Sequence, residues 1–197
     1  MLKGSVNEAI KGTGLAGQTV DIENNTVGHA GAAGIQLAGA DHLTLTSNDI
    51  SDSGTRSPSN PAIYLNGVSV ADFNTAITGN TGARNGLDAI ALHGTTGTAL
   101  TWRTIANSTS TGPLGYLVDG PLTVNGGLSL NQNDYVPSLG AITVAGGPLT
   151  ATGAVVTSLQ DSTGNIPTRG SCFDPKVSTS CLRPTPADGG GTPLHSG

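Results

Sequence analysis

The chain has 197 residues, of which 11% are charged, 3% aromatic and 30 are glycine, and its net charge is −5 at neutral pH. Lysine and arginine neither cluster nor alternate with aromatics, so no nucleic-acid partner is expected. No apolar run approaches the roughly 18 residues of a membrane-spanning helix. Helix formers such as Glu, Lys, Arg and Met are scarce, and Thr, Ser, Asn, Val, Leu and Ile take their place. That mixture suits short strands joined by polar turns.

The opening Met1-Leu2-Lys3-Gly4-Ser5 lacks the apolar core of a signal peptide. Either a signal has been removed or the chain is a segment of a longer protein, and the expectation is the second, an exported chain carrying further domains. A strand-like unit ending in glycine then recurs. It begins with a degenerate copy, Glu8-Ala9-Ile10-Lys11-Gly12, and continues as Ile35-Gln36-Leu37-Ala38-Gly39, Ile63-Tyr64-Leu65-Asn66-Gly67 and Ile90-Ala91-Leu92-His93-Gly94. Two looser copies follow, Tyr116-Leu117-Val118-Asp119-Gly120 and Ile142-Thr143-Val144-Ala145-Gly146. From Gly12 to Gly146 the glycines are 27, 28, 27, 26 and 26 positions apart.

Between the ladder strands lies a second self-similarity. Val20 to Gly31 aligns with Leu43 to Gly54 at an offset of 23, apolar on apolar, with Asn25 on Asn48. Later, Asp119 to Gly126 aligns with Gly146 to Gly153 at an offset of 27. Each unit holds about three short alternating strands and cannot bury its inward face alone. Stacked on a neighbour at ~4.8 Å it can. The fold expected is all-β, a single-stranded parallel β-helix of about six coils of 26–28 residues over 1–160. A sandwich needs no such period, and propeller blades are longer. Inward positions are expected at 35/37, 63/65, 90/92, 116/118 and 142/144, and outward positions at Gln36, Tyr64, Ala91, Leu117 and Thr143. Each ladder glycine is expected at positive φ. Thr55 to Pro61 and Val68 to Thr75 read as loops bulging from the coil, and such insertions often mark a binding face.

Residues 161–197, rich in Pro, Gly, Ser and Thr, read as a tail or linker. Their Cys172 and Cys181 suit a local disulfide or two unpaired thiols, and two cysteines leave both open. Their spacing is no metal motif.

The x-Gly strands and the Asn48-Asp49-Ile50-Ser51-Asp52-Ser53-Gly54 turn resemble repeats of the right-handed parallel β-helix proteins of the pectin-lyase-like superfamily. Ile77 to Gly94, followed by Gly120 to Val124, is similar to a segment of large bacterial secreted or surface β-helix proteins. The resemblance covers about residues 5–159. It implies right-handed coiling and an extracellular or cell-surface location, and it spans both enzymes and adhesins.

For chemistry, the residues before the ladder glycines place Asn66, His93 and Asp119 in one outward row. A carboxylate beside an imidazole orients it and strengthens it as a base. His93, Asp119 and Asp88 are therefore the catalytic candidates, and Asn66, Tyr64 and Gln36 the binding candidates. The acidic residues are otherwise scattered, from Asp21 to Asp88, so no metal or other cofactor is expected. The paired carboxylates of glycoside hydrolysis are not recognisable. Trp102 alternates with Thr101 and is expected inward, not as a sugar platform. The function expected is a non-catalytic structural or adhesive module touching polysaccharide or cell-surface glycan. The alternative is a polysaccharide lyase or glycoside hydrolase.

Overall fold

The computed structural model describes residues 2–57, 59–105 and 111–158. Cys172, Cys181 and the tail over 161–197 lie outside the described residues. The described residues are all-β, apart from one short helix at Phe73–Ala76, and their strands pair almost entirely in parallel. No described helix is long and apolar enough to cross a membrane.

The glycine-closed strands form one sheet, the ladder sheet. Ile10–Gly12, Ile35–Ala38, Pro61–Asn66, Leu87–Thr96 and Gly115–Asn125 lie side by side in that order. A second sheet holds Thr19–Glu23, His42–Thr46 and Ile77–Thr78. A third holds Leu2–Lys3, Thr26–Gly28, Asp49–Ser51 and Thr81–Ala83, with Gly112–Pro113 added antiparallel. From Thr19 to Thr96 the chain visits the second, third and ladder sheets in turn, three times over. This order is compatible with a solenoid of three strands per turn.

The offset of 23 is a true stacking register: Val20 pairs with Leu43, Ile22 with Leu45 and Val27 with Ile50. In the ladder sheet Ile35, Ile63, Ile90 and Tyr116 align, as do Leu37, Leu65, Leu92 and Val118. All eight are buried and form the spine of the core. Burying each such side chain contributes about 1.5–3 kcal/mol, which outweighs the weak local preference of three- and four-residue strands.

Four expectations change. The first ladder strand is displaced by two residues: Ile10 stacks on Ile35 and Lys11 on Gln36, so Gly12 meets Leu37. Gly14, at φ +65°, follows this strand, and the N–H of the next residue, Leu15, reaches the Ala38 carbonyl at 3.5 Å. Gly39, Gly67, Gly94 and Gly146 have positive φ as expected, whereas Gly12 and Gly120 do not.

The second change concerns the last copies. Ile142 and Val144 stack on Leu122 and Val124, not on Tyr116 and Val118. The ladder strand has lengthened to eleven residues, Gly115–Asn125, and carries two successors. Tyr135–Ser138 touches its first half at Val118, and Ile142–Ala145 covers its second. Likewise Leu149 stacks on Leu128, so the Gly-Pro-Leu similarity at an offset of 27 is not a stacking register. Leu100–Thr101, Leu128–Leu130 and Leu149–Ala151 make a fourth, separate sheet.

Third, Val68 to Thr75 is no bulging loop. Val68, Val70 and Phe73 are buried in the main core, and Asp72 caps the helix through Asn74 N–H at 3.0 Å. Fourth, two of the outward positions do not face solvent. Ala91 and Leu117 are buried in a small second core with Leu87, Ala89, Ile105 and Tyr135. The small alanines leave room that the returning chain at Ile105 and Tyr135 fills. Trp102 points inward as expected, and its Nε1 donates to the Tyr135 carbonyl at 2.9 Å.

Candidate functional site

The outward positions of the ladder sheet fall in one row. Gln36 pairs with Tyr64, Tyr64 with Ala91, and Ala91 with Leu117. These four side chains line a groove of about 450 Å³. Alternation puts them there, since residues two apart along a strand share a face while their neighbours enter the core.

The segment after Gly54 lines the groove with Ser59, Asn60 and Pro61. It is held down by backbone bonds, Arg56 N–H to the Gly31 carbonyl at 2.9 Å and Leu87 N–H to the Asn60 carbonyl at 2.8 Å. It lies so close that a Cβ on Gly86 would stand 2.6 Å from the Asn60 oxygen and 2.7 Å from the Ser57 oxygen. Only glycine permits that approach. This insertion does reach a candidate binding face. Glu8, Asp119 and Leu139 also line the groove.

The row Asn66, His93, Asp119 is assembled in part. His93 pairs in register with Asn66. His93 Nδ1 lies 3.7 Å from Asp119 Oδ1, an ion pair when the imidazole is protonated but not a hydrogen bond. The register shifts beyond Leu92, so Asp119-Gly120-Pro121 steps out of line. Gly120 packs on the imidazole, and a Cβ there would collide with the ring. Of this row only Asp119 reaches the groove lining. Its Oδ1 is buried and has no hydrogen-bond partner. Burial raises the Asp119 pKa, and the neighbouring His93 charge opposes part of that rise. Tyr64 is also raised, first by burial and then by the Asp119 charge, which places both groups within electrostatic reach of each other.

Asp88 belongs elsewhere. Its Oδ1 accepts from Asn85 N–H and Asn85 Nδ2, each at 2.9 Å. Asn85 in turn is buried, accepts from Ser53 N–H at 3.0 Å and donates to the Ile50 carbonyl at 2.8 Å. Asp88 thus fastens a turn, five strand residues or roughly 16 Å from His93. Arg84 is engaged by both oxygens of Asp52 at 2.7 Å. Among the described residues no group of three or more His, Cys, Asp or Glu side chains is placed to hold a metal ion.

Tyr64 and Gln36 were legible as outward residues, and both line the groove. Glu8 was missed because the first ladder strand is displaced by two residues. Ser59 and Asn60 carried a signal only as part of an insertion. Leu139 carried none, since it follows the split of the long strand. Chemically the groove offers an aromatic ring, two carboxamides, a hydroxyl and two carboxylates over an apolar floor. That set can hydrogen-bond hydroxyls while packing on a ring face. No family model, curated protein or solved structure matches the chain.

Proposed function

We propose that the chain is a non-catalytic module of an exported or cell-surface protein that holds a glycan in the groove over Gln36, Tyr64, Ala91 and Leu117. In this reading the solenoid is a right-handed parallel β-helix of the pectin-lyase-like kind, serving as a rigid rod. The observation that carries the reading is the groove itself. It runs across strands whose outward side chains mix one aromatic, amides and small apolar residues, the mixture that suits a sugar ring and its hydroxyls. The test is affinity electrophoresis of the full chain in gels containing polysaccharides. Retardation by at least one glycan, weakened about tenfold in Tyr64→Ala, supports it. Migration unaffected by every glycan counts against it.

A second reading, a polysaccharide lyase or glycoside hydrolase, draws on the His93–Asp119 pair at 3.7 Å beside the groove. Depolymerisation by the wild type that vanishes in His93→Ala would establish it over the first.

A further inference from the structure

Resting on the groove as a glycan site, we propose that its ligand is an uncharged glycan and that uronic-acid polymers are rejected. The two charged side chains that line the groove, Glu8 and Asp119, are both acidic. A uronate chain brings one carboxylate per sugar and would set like charge against like in a partly enclosed space. A site built for such a chain would present arginine or lysine to those carboxylates.

Arg84, Arg103 and Arg56 are engaged away from the groove lining, and Lys11 is paired with the lining residue Glu8. Lys11 Nζ lies 3.5 Å from Glu8 Oε1. Arg84 is bidentate on Asp52. Arg103 donates to the Asn74 carbonyl at 2.9 Å and covers the Tyr116 ring, and Arg56 donates to Asn7 Oδ1 at 3.4 Å. None of the four lines the groove.

Asp119 adds a positive requirement. As a carboxylate in the lining it can only accept hydrogen bonds. A sugar hydroxyl supplies an O–H to it, whereas a uronate carboxylate is an acceptor only. Gln36 and Asn60 each offer both a donor and an acceptor, which matches the same dual character of hydroxyls. The groove therefore selects hydroxyl-bearing, carboxylate-free rings.

The test is calorimetric titration of the full chain near neutral pH with hexasaccharides of glucose, mannose, galactose and galacturonic acid. The expected result is binding of at least one neutral hexamer, with hexagalacturonate at least about tenfold weaker. The double variant Glu8→Gln/Asp119→Asn narrows that gap. Glu8→Gln alone narrows it in part and serves where the double variant does not fold, as judged by circular dichroism. Tightest binding of hexagalacturonate overturns the inference while leaving the groove a glycan site. A gap unmoved by Glu8→Gln and by the folded double variant overturns its electrostatic basis. Failure of all four hexamers to bind overturns the groove reading and this inference with it.

Discussion

Asn48 Nδ2 donates to Asn80 Oδ1 at 2.9 Å, and both side chains are buried. The pair is the middle of a ladder, because Asn25 Nδ2 donates to Asn48 Oδ1 at 3.1 Å. Each rung also serves the backbone: Asn48 donates to the Ile22 carbonyl and Asn80 to the Leu45 carbonyl, both at 2.8 Å. Asn48→Ala removes the donor to the buried Asn80 Oδ1 and to the Ile22 carbonyl, and the acceptor of the half-buried Asn25 amide. It should cost about 2–4 kcal/mol, lowering the melting temperature by roughly 5–12 °C. Asn48→Asp should cost more, since it removes the donor and buries a charge. Thermal unfolding by circular dichroism measures both, and an unchanged midpoint in Asn48→Ala would refute the ladder's role.

Tyr116 carries the opposite situation. Its ring packs edge-on against Phe73 and Trp102, with centroids 6.0 and 5.7 Å away. Its buried hydroxyl has no hydrogen-bond partner, and burial pushes its pKa up to about 12 despite the nearby Arg103 charge. Tyr116→Phe keeps the ring and removes the unpaired group. It should stabilise the protein by about 1 kcal/mol. A fall in the urea midpoint at constant slope would show that the hydroxyl is satisfied in solution.

Asp119 predicts a pH dependence. Burial raises its pKa in the folded state, so folding favours the protonated form. That contribution is complete below the unfolded carboxylate value of about 3.9. It is lost as pH rises through the higher folded value. Asp119→Asn copies the neutral form. Relative to wild type it should therefore gain stability at neutral pH and lose that advantage in acid. His93 offsets part of the effect, but the pair is 35% and 23% exposed and not hydrogen-bonded, so water screens it. Melting temperatures of both proteins across acid and neutral pH give the difference curve. A variant less stable at neutral pH would mean that the ion pair outweighs burial.

Gly120 is constrained by contact and not by φ. It lies outside the left-handed region, yet an added Cβ would run into the His93 imidazole. Gly120→Ala should displace the partly exposed ring and destabilise by about 1 kcal/mol. The His93 ring resonances, followed by NMR, should shift in this variant. At Gly39, where φ is +70° and no packed side chain stands close, alanine should cost about 1 kcal/mol through backbone strain and leave those resonances in place.

Much of the ladder was legible because parallel stacking copies one apolar pattern from turn to turn. Ile35, Ile63 and Ile90 recur with their glycines, and their registers follow the spacing. The asparagine ladder showed only its first two rungs, since Asn80 lies 32 residues beyond Asn48 after the helical insertion. Register failed at both ends of the ladder for physical reasons. Near Ile10 a single degenerate copy allowed two alignments, and packing selected the one that puts Ile10 on Ile35. Beyond Val118 the eleven-residue ladder strand runs on to Asn125, and no periodicity announces a strand that supports two successors.

Composition and spacing on their own determine an all-β chain of stacked parallel strands, its inward spine and the outward identity of Gln36 and Tyr64. Local alternation and repetition suffice for that, because each stacked residue meets its equivalent one turn away. The groove was decided only by tertiary structure. Its lining joins Glu8, Asn60, Asp119 and Leu139 from separate turns. Their meeting depends on an insertion folding back over Gly86 and on a register shift after Leu92. Both are long-range packing events, and no repeat in the chain encodes them.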